Sequence, residues 1–190
     1  MKSYFLNLIT DSSFIGALLG AVITGLIAIY VMNRTNVNNR KQDKKKALNE
    51  FLKESYFLLY SVEGLIKHTN AYVKYQKEEE AIKRADTGPD PNSELVDIRH
   101  AKRLNEADIA GFLSKIKNVD KNSFTRDTFD IYLEILSVTE GQVEYFWKRS
   151  LEINVGGVGD ILEEAIKELI ALKNTLEQKH KEKEKEYSSL

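Results

Sequence analysis

The chain contains no cysteine, only two prolines and only three histidines among its 190 residues. Without thiols there are no disulfides, no thiolate nucleophiles and no cysteine-ligated metals, which agrees with a reducing compartment. Both prolines lie within residues 85–93, so proline interrupts the sequence at one place only. The remainder can form long helices.

A large net charge is also missing, since the formal net charge of the whole chain is −1. This balance hides two segments of opposite sign, because residues 33–46 carry +5 and residues 47–190 carry −6. The acidic remainder argues against a broad nucleic-acid footprint, and no nucleic-acid partner is expected. Anionic lipid headgroups attract each base near a membrane by about 1 kcal/mol. The bases assigned to headgroups are Arg34, Arg40, Lys41, Lys44, Lys45 and Lys46.

Residues 14–32 form the longest uncharged apolar run, and we call this run the span. Nineteen helical residues at about 1.5 Å each are just long enough to cross a bilayer core. A cleavable signal sequence is the main alternative, but the run lacks small residues at its end and most of the bases lie after it. Basic residues stay in the cytoplasm, so the sequence predicts an outer stub at 1–13 and a basic juxtamembrane segment at 33–46.

The span carries small residues at four-residue spacing in two ladders. Such ladders let two helices approach closely, although glycine and alanine are also common in membrane spans generally. With no second span in the chain, the partner expected on these ladders is another copy. The ladders comprise Gly16, Gly20, Thr24 and Ala28 on one face, and Ala17, Ala21 and Gly25 on the other.

Beyond residue 46 the apolar residues recur with helical spacing, and no strand pattern competes. Helices are predicted at about 47–84, 94–118, 124–154 and 160–176, and together they favour an all-α, up-and-down four-helix bundle over residues 47–176. Asp160, with Glu163 three residues on, is the predicted cap of the fourth helix. Residues 177–190 lack an apolar face and are predicted to be a charged tail, either a solvated helical extension or frayed.

Apolar periodicity predicts a core stripe on each helix. The first helix has a heptad pattern that the polar residues Ser55, Thr69 and Gln76 interrupt. The second stripe includes Leu104, and the third includes Leu133, Trp147 and Leu151, with Gly141 as a bend. Because the first helix is longer than the second, its membrane-proximal stripe is expected to be partly bare and to join the ladders in self-association. That stripe consists of Leu48, Phe51, Leu52, Leu58 and Leu59.

Catalytic and metal-binding patterns are weak throughout. His100 with Asp97, and His180 with Glu177, have the spacing of a metal pair, but di-metal bundles need Glu-x-x-His on two helices and only one occurs. The protease, esterase and phosphate-loop motifs are missing. The sequence therefore predicts no catalytic residue, no metal and no cofactor.

Two further motifs have a functional and a structural interpretation. Residues 156–159 (GGVG) precede a helix and offer backbone amides to an anion, but Asp160 repels phosphate and a plain turn is favoured. Residues 145–147 (YFW) offer a ligand platform, although aromatic residues on an apolar helical stripe usually belong to the core.

The layout of a short outer stub, one span and a cytoplasmic helical bundle resembles small membrane effectors of bacterial antiphage and CRISPR-associated systems, some of which have degenerate HEPN-like bundles that assemble into pores. The resemblance covers the architecture and no motif. The HEPN ribonuclease signature is missing, because no arginine lies four to seven residues before His68, His100 or His180. The resemblance implies a bacterial plasma-membrane protein without ribonuclease activity.

Two function classes remain open on the sequence. In the first, copies assemble through the span and the first cytoplasmic helix into a non-enzymatic, pore-forming or membrane-perturbing effector. In the second, the protein is a membrane-anchored adaptor that recruits a cytoplasmic protein partner. Thr24 is the span's only internal polar side chain, so a pore lined by this span would be narrow, gated or lined by backbone.

Overall fold

The computed structural model describes residues 12–85, 91–152 and 157–190. All secondary structure within these ranges is helical, as predicted, and they contain no strand. The elements are α1 (Ser12–Ala85), α2 (Pro91–Lys117), a 3-10 turn (Lys121–Ser123), α3 (Arg126–Val138), a π turn (Thr139–Glu144), α4 (Tyr145–Glu152) and α5 (Val158–Ser188). Most of the predicted outer stub and the proline-containing loop at 86–90 lie outside the described residues.

Contacts divide the chain into two units, Met1–Lys46 and Ala47–Leu190. In the first unit, every described residue from 12 to 46 belongs to α1. Glycine and alanine alternate there with large aliphatic side chains, and the large side chains are exposed, such as Leu26 at 63%. Among the described helices, α1 is the one whose length and composition suffice to cross a membrane.

In the second unit, α1 follows a strict seven-residue repeat with buried side chains at the first and fourth positions. A heptad repeat keeps one seam of a helix facing its neighbours, which explains why the polar members are buried with the apolar ones. Ser61 and Val73 are buried beside this seam, whose ten positions are Leu48, Phe51, Ser55, Leu58, Val62, Leu65, Thr69, Tyr72, Gln76 and Glu79.

α2 begins at Pro91, where a missing amide hydrogen costs nothing. Its buried side chains are Ile109, Leu113 and Ile116, whereas Leu104, which we predicted in the core, is 58% exposed. Leu104 is five positions before Ile109 in the helix, so it is rotated by about 140° away from the buried side. Val119 and Phe124 flank the 3-10 turn and are buried.

The predicted third helix is divided by the π turn, which contains Gly141 where a bend was predicted. A π turn holds one more residue than an α turn and rotates the side chains after it. Tyr132 and Val138 therefore reach the core before the turn. Val143 reaches it within the turn, and Trp147 reaches it after the turn. Leu133 and Leu151 were predicted in the same stripe and are instead 44% and 49% exposed.

α5 differs from the prediction at its start. It begins at Val158, and Gly157, whose φ is +88°, occupies the cap position, so the prediction that Asp160 caps this helix was wrong. Asp160 lies within the first turn. At the other end the helix continues beyond Leu176 to Ser188, so the charged tail adopts the helical one of its two predicted forms.

Contacts at both ends of the second unit establish the helix directions. Along α1, Ser55 contacts His180 of α5 and Lys77 contacts Glu163, so α1 and α5 run in opposite directions. Similarly, Gly64 lies against Phe112 of α2, and Glu79 contacts Arg99. Gly159 is buried against Val73, where an added Cβ would lie 3.6 Å from the valine. Every helix of this unit contributes side chains to one hydrophobic core.

Candidate functional site

The predicted ladders lie on the exposed surface of α1 in the single chain. Gly16, Ala17, Gly20, Ala21, Thr24 and Gly25 are all exposed. A Cβ placed on Gly16, Gly20 or Gly25 would meet nothing within 4 Å, so no contact with another described residue explains the small side chains. The hydroxyl of Thr24 donates to the carbonyl oxygen of Gly20 at 2.8 Å. This bond satisfies the span's one internal polar side chain inside its own helix.

The six bases assigned to lipid headgroups occupy the two helical turns after the span and the turn that precedes residue 47. Each of them is exposed, and all are part of α1. At about 100° per residue, five of the six fall on one side of the helix, within an arc of about 140°, and Lys46 lies on the opposite side. A basic side of this kind suits a helix that meets anionic headgroups along it. The six residues are Arg34, Arg40, Lys41, Lys44, Lys45 and Lys46.

The expectation of a bare membrane-proximal stripe was wrong. Phe51 and Leu58 are 1% and 0% exposed, and Leu48 is 6% exposed, within a single chain. Leu52 and Leu59 are half-buried and pack against the same core. These five side chains therefore fold the chain, and they are not accessible as the apolar self-association surface that we predicted.

Two segments cover this part of α1. After α2, Phe124 packs edge-on against Phe51 with ring centroids 5.7 Å apart, and the backbone amide of Asp120 donates to Glu54 at 3.3 Å. From α5, His180 Nδ1 lies 2.8 Å from the hydroxyl of Ser55. The extension of α5 to Ser188 is the physical reason why the stripe is closed.

The three histidines lie apart from one another. His68 and His180 have structural partners, and His100 has none among the described residues. His68 Nδ1 lies 2.9 Å from the amide oxygen of Asn105 and 3.2 Å from Asp108, and its ring stacks on Phe112. His100 is exposed on α2. In the described part of the chain, no group of three or more acids and histidines is arranged to hold a metal ion.

The Ser55 and His180 pair does not have the geometry of an activated nucleophile. Ser55 is 0% exposed, and its hydroxyl donates to the carbonyl oxygen of Phe51 at 2.6 Å. With that proton engaged, the hydroxyl oxygen accepts a hydrogen bond from the histidine ring. The pair joins α1 to α5 and holds their register.

The two other motifs with a functional alternative are structural in the described residues. Trp147 is 7% exposed in the core, and the Tyr145 and Phe146 rings meet edge-on at 5.0 Å rather than forming a flat platform. After Gly157, the ammonium group of Lys77 contacts Asp160 at 3.4 Å and Glu163 at 2.6 Å. Gly156 lies outside the described residues.

A buried ion-pair cluster was not predicted from the sequence. Glu79 occupies a core position of the heptad at 8% exposure, and its carboxylate contacts Lys83 at 2.8 Å, Arg99 at 3.3 Å and Lys102 at 3.4 Å. Burial disfavours the charge, but the three cations outweigh it and lower the pKa of Glu79 to about 2. The signal in the sequence was the seven-residue repeat, which reaches Glu79 from Tyr72.

A second cluster joins α2 to the π turn. Glu144 contacts Lys117 at 2.5 Å and Lys148 at 2.7 Å, and these two cations lower the pKa of its carboxyl. The ammonium group of Lys117 also lies 3.7 Å from Glu140.

No protein-family model matches the chain, and neither a curated protein nor a solved structure matches it.

Proposed function

We propose that this protein is a single-pass membrane protein that self-associates through its span and acts without catalysis. The observation that carries the proposal is the surface of α1 within residues 15–32, where large aliphatic side chains and open glycines are exposed among the described residues. Burying such a surface in lipid and against a second copy removes it from water. The charge balance supports an outer N-terminus and a cytoplasmic second unit.

The second unit is proposed to be an up-and-down four-helix bundle. The contacts between α1 and α2 and between α1 and α5 support this topology, because both neighbours run opposite to α1. The shared core, with members from all the helices, supports a unit that folds as one body. This bundle is the part proposed to face the cytoplasm.

The adaptor function is favoured over the membrane-perturbing effector. Phe51 and Leu58 are buried inside the chain, which removes the apolar surface on which assembly of the second unit was predicted. Tyr56, Phe57 and Tyr60 are the aromatic side chains that α1 leaves exposed in this unit, at 67%, 37% and 54%. Exposed aromatic residues are typical anchors of protein interfaces, so this face suits a cytoplasmic protein partner.

The effector remains the second candidate because of the ladders. A Cβ at Gly16, Gly20 or Gly25 meets open space, so several copies can approach one another along the span. Since Thr24 already donates to Gly20, a conduit built from this span offers few free polar groups to ions. The effector would therefore act by perturbing the bilayer or by a gated, narrow opening in a bacterial plasma membrane.

The mass of the detergent-solubilised full-length protein tests self-association. We expect the wild type to be an oligomer and Gly20→Leu or Ala21→Leu to be a monomer, because a bulky side chain separates the two backbones. Val22→Leu is the control, since it enlarges an aliphatic side chain by one carbon off both ladders and should leave the oligomer intact. A monomeric wild type would contradict the proposal.

Dye release from liposomes separates the two classes. An adaptor leaves vesicles intact as monomer and oligomer alike, whereas an effector releases dye and loses this activity with Gly20→Leu. Release by wild type and Gly20→Leu to the same extent would contradict the assembly mechanism.

Charged replacements at Phe51 or Leu58 test folding instead of assembly, because an unpaired charge buried in the core costs several kcal/mol.

A further inference from the structure

One exposed side of α2 forms a shallow basic hollow of about 240 Å³. Its four lining residues, Val96, Arg99, His100 and Arg103, are spaced three, four and seven residues apart and so share one helix face. Three of the four are basic. Among the described residues, no acidic side chain lines the hollow.

A buried carboxylate holds the guanidinium group of Arg99 in position. The Nε of Arg99 lies 3.3 Å from the buried carboxylate of Glu79, which Lys83 and Lys102 also contact. The two terminal amino groups of the guanidinium do not take part in this contact, and the side chain is 54% exposed. Glu79 thus fixes the guanidinium while its outer donors remain available, which lowers the entropy cost of binding a ligand.

The other two basic side chains have no competing partner. Within residues 12–85, 91–152 and 157–190, neither His100 nor Arg103 makes an ion pair or a hydrogen bond, and both are exposed. One buried carboxylate stands against Lys83, Arg99 and Lys102. Asp97 and Glu106 also lie on α2 but are not among the lining residues, so the charged groups at the hollow itself are those of Arg99 and Arg103, which attract anions.

The donor set distinguishes between classes of anion. Two guanidinium groups each present a planar fork that matches two oxygens, and the imidazole adds a ring nitrogen. A carboxylate has two oxygens and cannot satisfy all three groups, whereas a phosphate monoester presents three oxygens and close to two negative charges. Val96 is 62% exposed at the edge of the hollow and offers an apolar contact to the organic group of the ester.

We propose that the hollow formed by Val96, Arg99, His100 and Arg103 binds a phosphate monoester, with Glu79 as the positioning residue for Arg99. The site does not depend on the proposed function, because it lies on α2 and uses neither the span nor its ladders. The phosphate belongs either to a soluble metabolite or to a lipid headgroup. The two sources share the same chemistry at the site.

Calorimetric titration of the full-length protein in neutral detergent tests the site. The probes are glycerol 3-phosphate for a soluble monoester, dihexanoyl phosphatidic acid for a lipid monoester, and succinate for a carboxylate. We expect saturable binding of at least one phosphate at millimolar concentration or below, and weaker binding of succinate. Binding of phosphatidic acid alone assigns a lipid source, and binding of glycerol 3-phosphate assigns a soluble one.

Substitutions locate the binding. Arg103→Gln, which removes no described contact, and the double variant Arg99→Gln/Arg103→Gln should weaken phosphate binding, the double variant by roughly tenfold or more. Arg126→Gln/Arg149→Gln removes the same charge from exposed positions elsewhere and should leave the affinity unchanged. Absence of phosphate binding, equal binding of succinate, or equal loss in both double variants would overturn the proposal.

Discussion

Gly64 is the residue of α1 at which one added methyl group collides with another helix. A Cβ there would lie 2.3 Å from the Cε1 and Cζ atoms of Phe112. The Phe112 ring is itself enclosed by Tyr60, His68 and the ammonium group of Lys115, at centroid distances of 6.0, 5.7 and 4.5 Å. Because three neighbours hold the ring, it has little room to move aside.

Gly64→Ala should therefore destabilise the protein although alanine is the better helix former. Overpacking costs about 1–3 kcal/mol, and the gain in helix propensity is about 1 kcal/mol, so we expect a net loss of up to about 2 kcal/mol. Gly111→Ala is the control, since nothing lies within 4 Å of its Cβ, and it should add about 0.5–1 kcal/mol. Denaturant unfolding monitored by circular dichroism measures both, and a Gly64→Ala variant as stable as Gly111→Ala would contradict the close packing.

Glu79 makes the stability of the protein depend on pH in the acid range. Its folded-state pKa of about 2 lies below the ordinary value of 4.5, because Lys83, Lys102 and Arg99 favour the charged form more than burial disfavours it. A lowered carboxyl pKa contributes stability that is complete above the unfolded-state pKa. That contribution is lost as the pH falls from about 4.5 to about 2.

We expect Glu79→Gln to lower the free energy of unfolding by up to about 3 kcal/mol at pH 7. The difference from wild type should shrink as the pH falls through the same range, since both side chains are then neutral. Glu78→Gln is the matched control, because Glu78 is 43% exposed and pairs only with Lys74 among the described residues, at 3.8 Å. Its effect should stay below about 1 kcal/mol at every pH. A constant difference between Glu79→Gln and wild type from pH 7 to pH 2 would exclude the ion-pair explanation.

At the scale of the element, the π turn determines which side of α4 meets the core. Its extra residue rotates the side chains after it, so that Trp147 is buried in continuation of Val138 and of Val143 within the turn. Gly141 lies in this turn with open space around its Cβ. Deleting one residue from a π turn restores an α turn without moving the segments on either side.

Deletion of Gly141 should therefore leave the fold intact and change the free energy of unfolding by about 1 kcal/mol or less. Deletion of Glu134, an exposed residue of the regular helix α3, is the control. It turns every later side chain by about 100° and takes several large apolar groups out of the core, at about 1.5–3 kcal/mol each. Thermal unfolding compares the two, and equal damage from both deletions would show that the π turn is no simple insertion.

The end of α5 shows where periodicity failed as a guide. Residues 179–186 (KHKEKEKE) contain no aliphatic side chain, which is why the sequence predicted a solvated tail. In the structure His180, Lys183 and Tyr187 continue the buried side of Leu176, and Lys183 lies 3.8 Å from Asp127. Long polar side chains can cover a core with their stems while their charged ends stay in water. A hydropathy pattern does not register this contribution.

At the scale of the whole molecule, charge predicts which side of the membrane the second unit occupies. A reporter fused after Leu190 should be active only if it works in the cytoplasm, because basic residues flanking a span remain on that side. Replacing the six bases of residues 33–46 with glutamine, while adding four lysines before residue 11, should invert or mix the orientation. Activity of a periplasmic reporter on the unaltered chain would contradict the topology.

The sequence alone determined the helical class and the seam of α1. Its seven-residue repeat predicted that Phe51, Leu58 and Leu65 lie on one side of the helix, because a helix turns by a constant angle. The prediction from the uncharged run at 14–32 likewise needs no tertiary information, since the ability of a helix to cross a bilayer depends on its own length and composition.

Only the tertiary structure decided what covers each helix. Whether the start of α1 in this unit is bare or buried depends on Phe124, which packs against Phe51, and on His180, which contacts Ser55. Both are distant in sequence from α1, and they reach it through a turn and through the extended α5. The same is true of Glu79, whose charge is tolerated because Arg99 and Lys102 arrive from α2. Burial is a property of pairs of helices, and the periodicity of one helix contains no information about where its neighbours end.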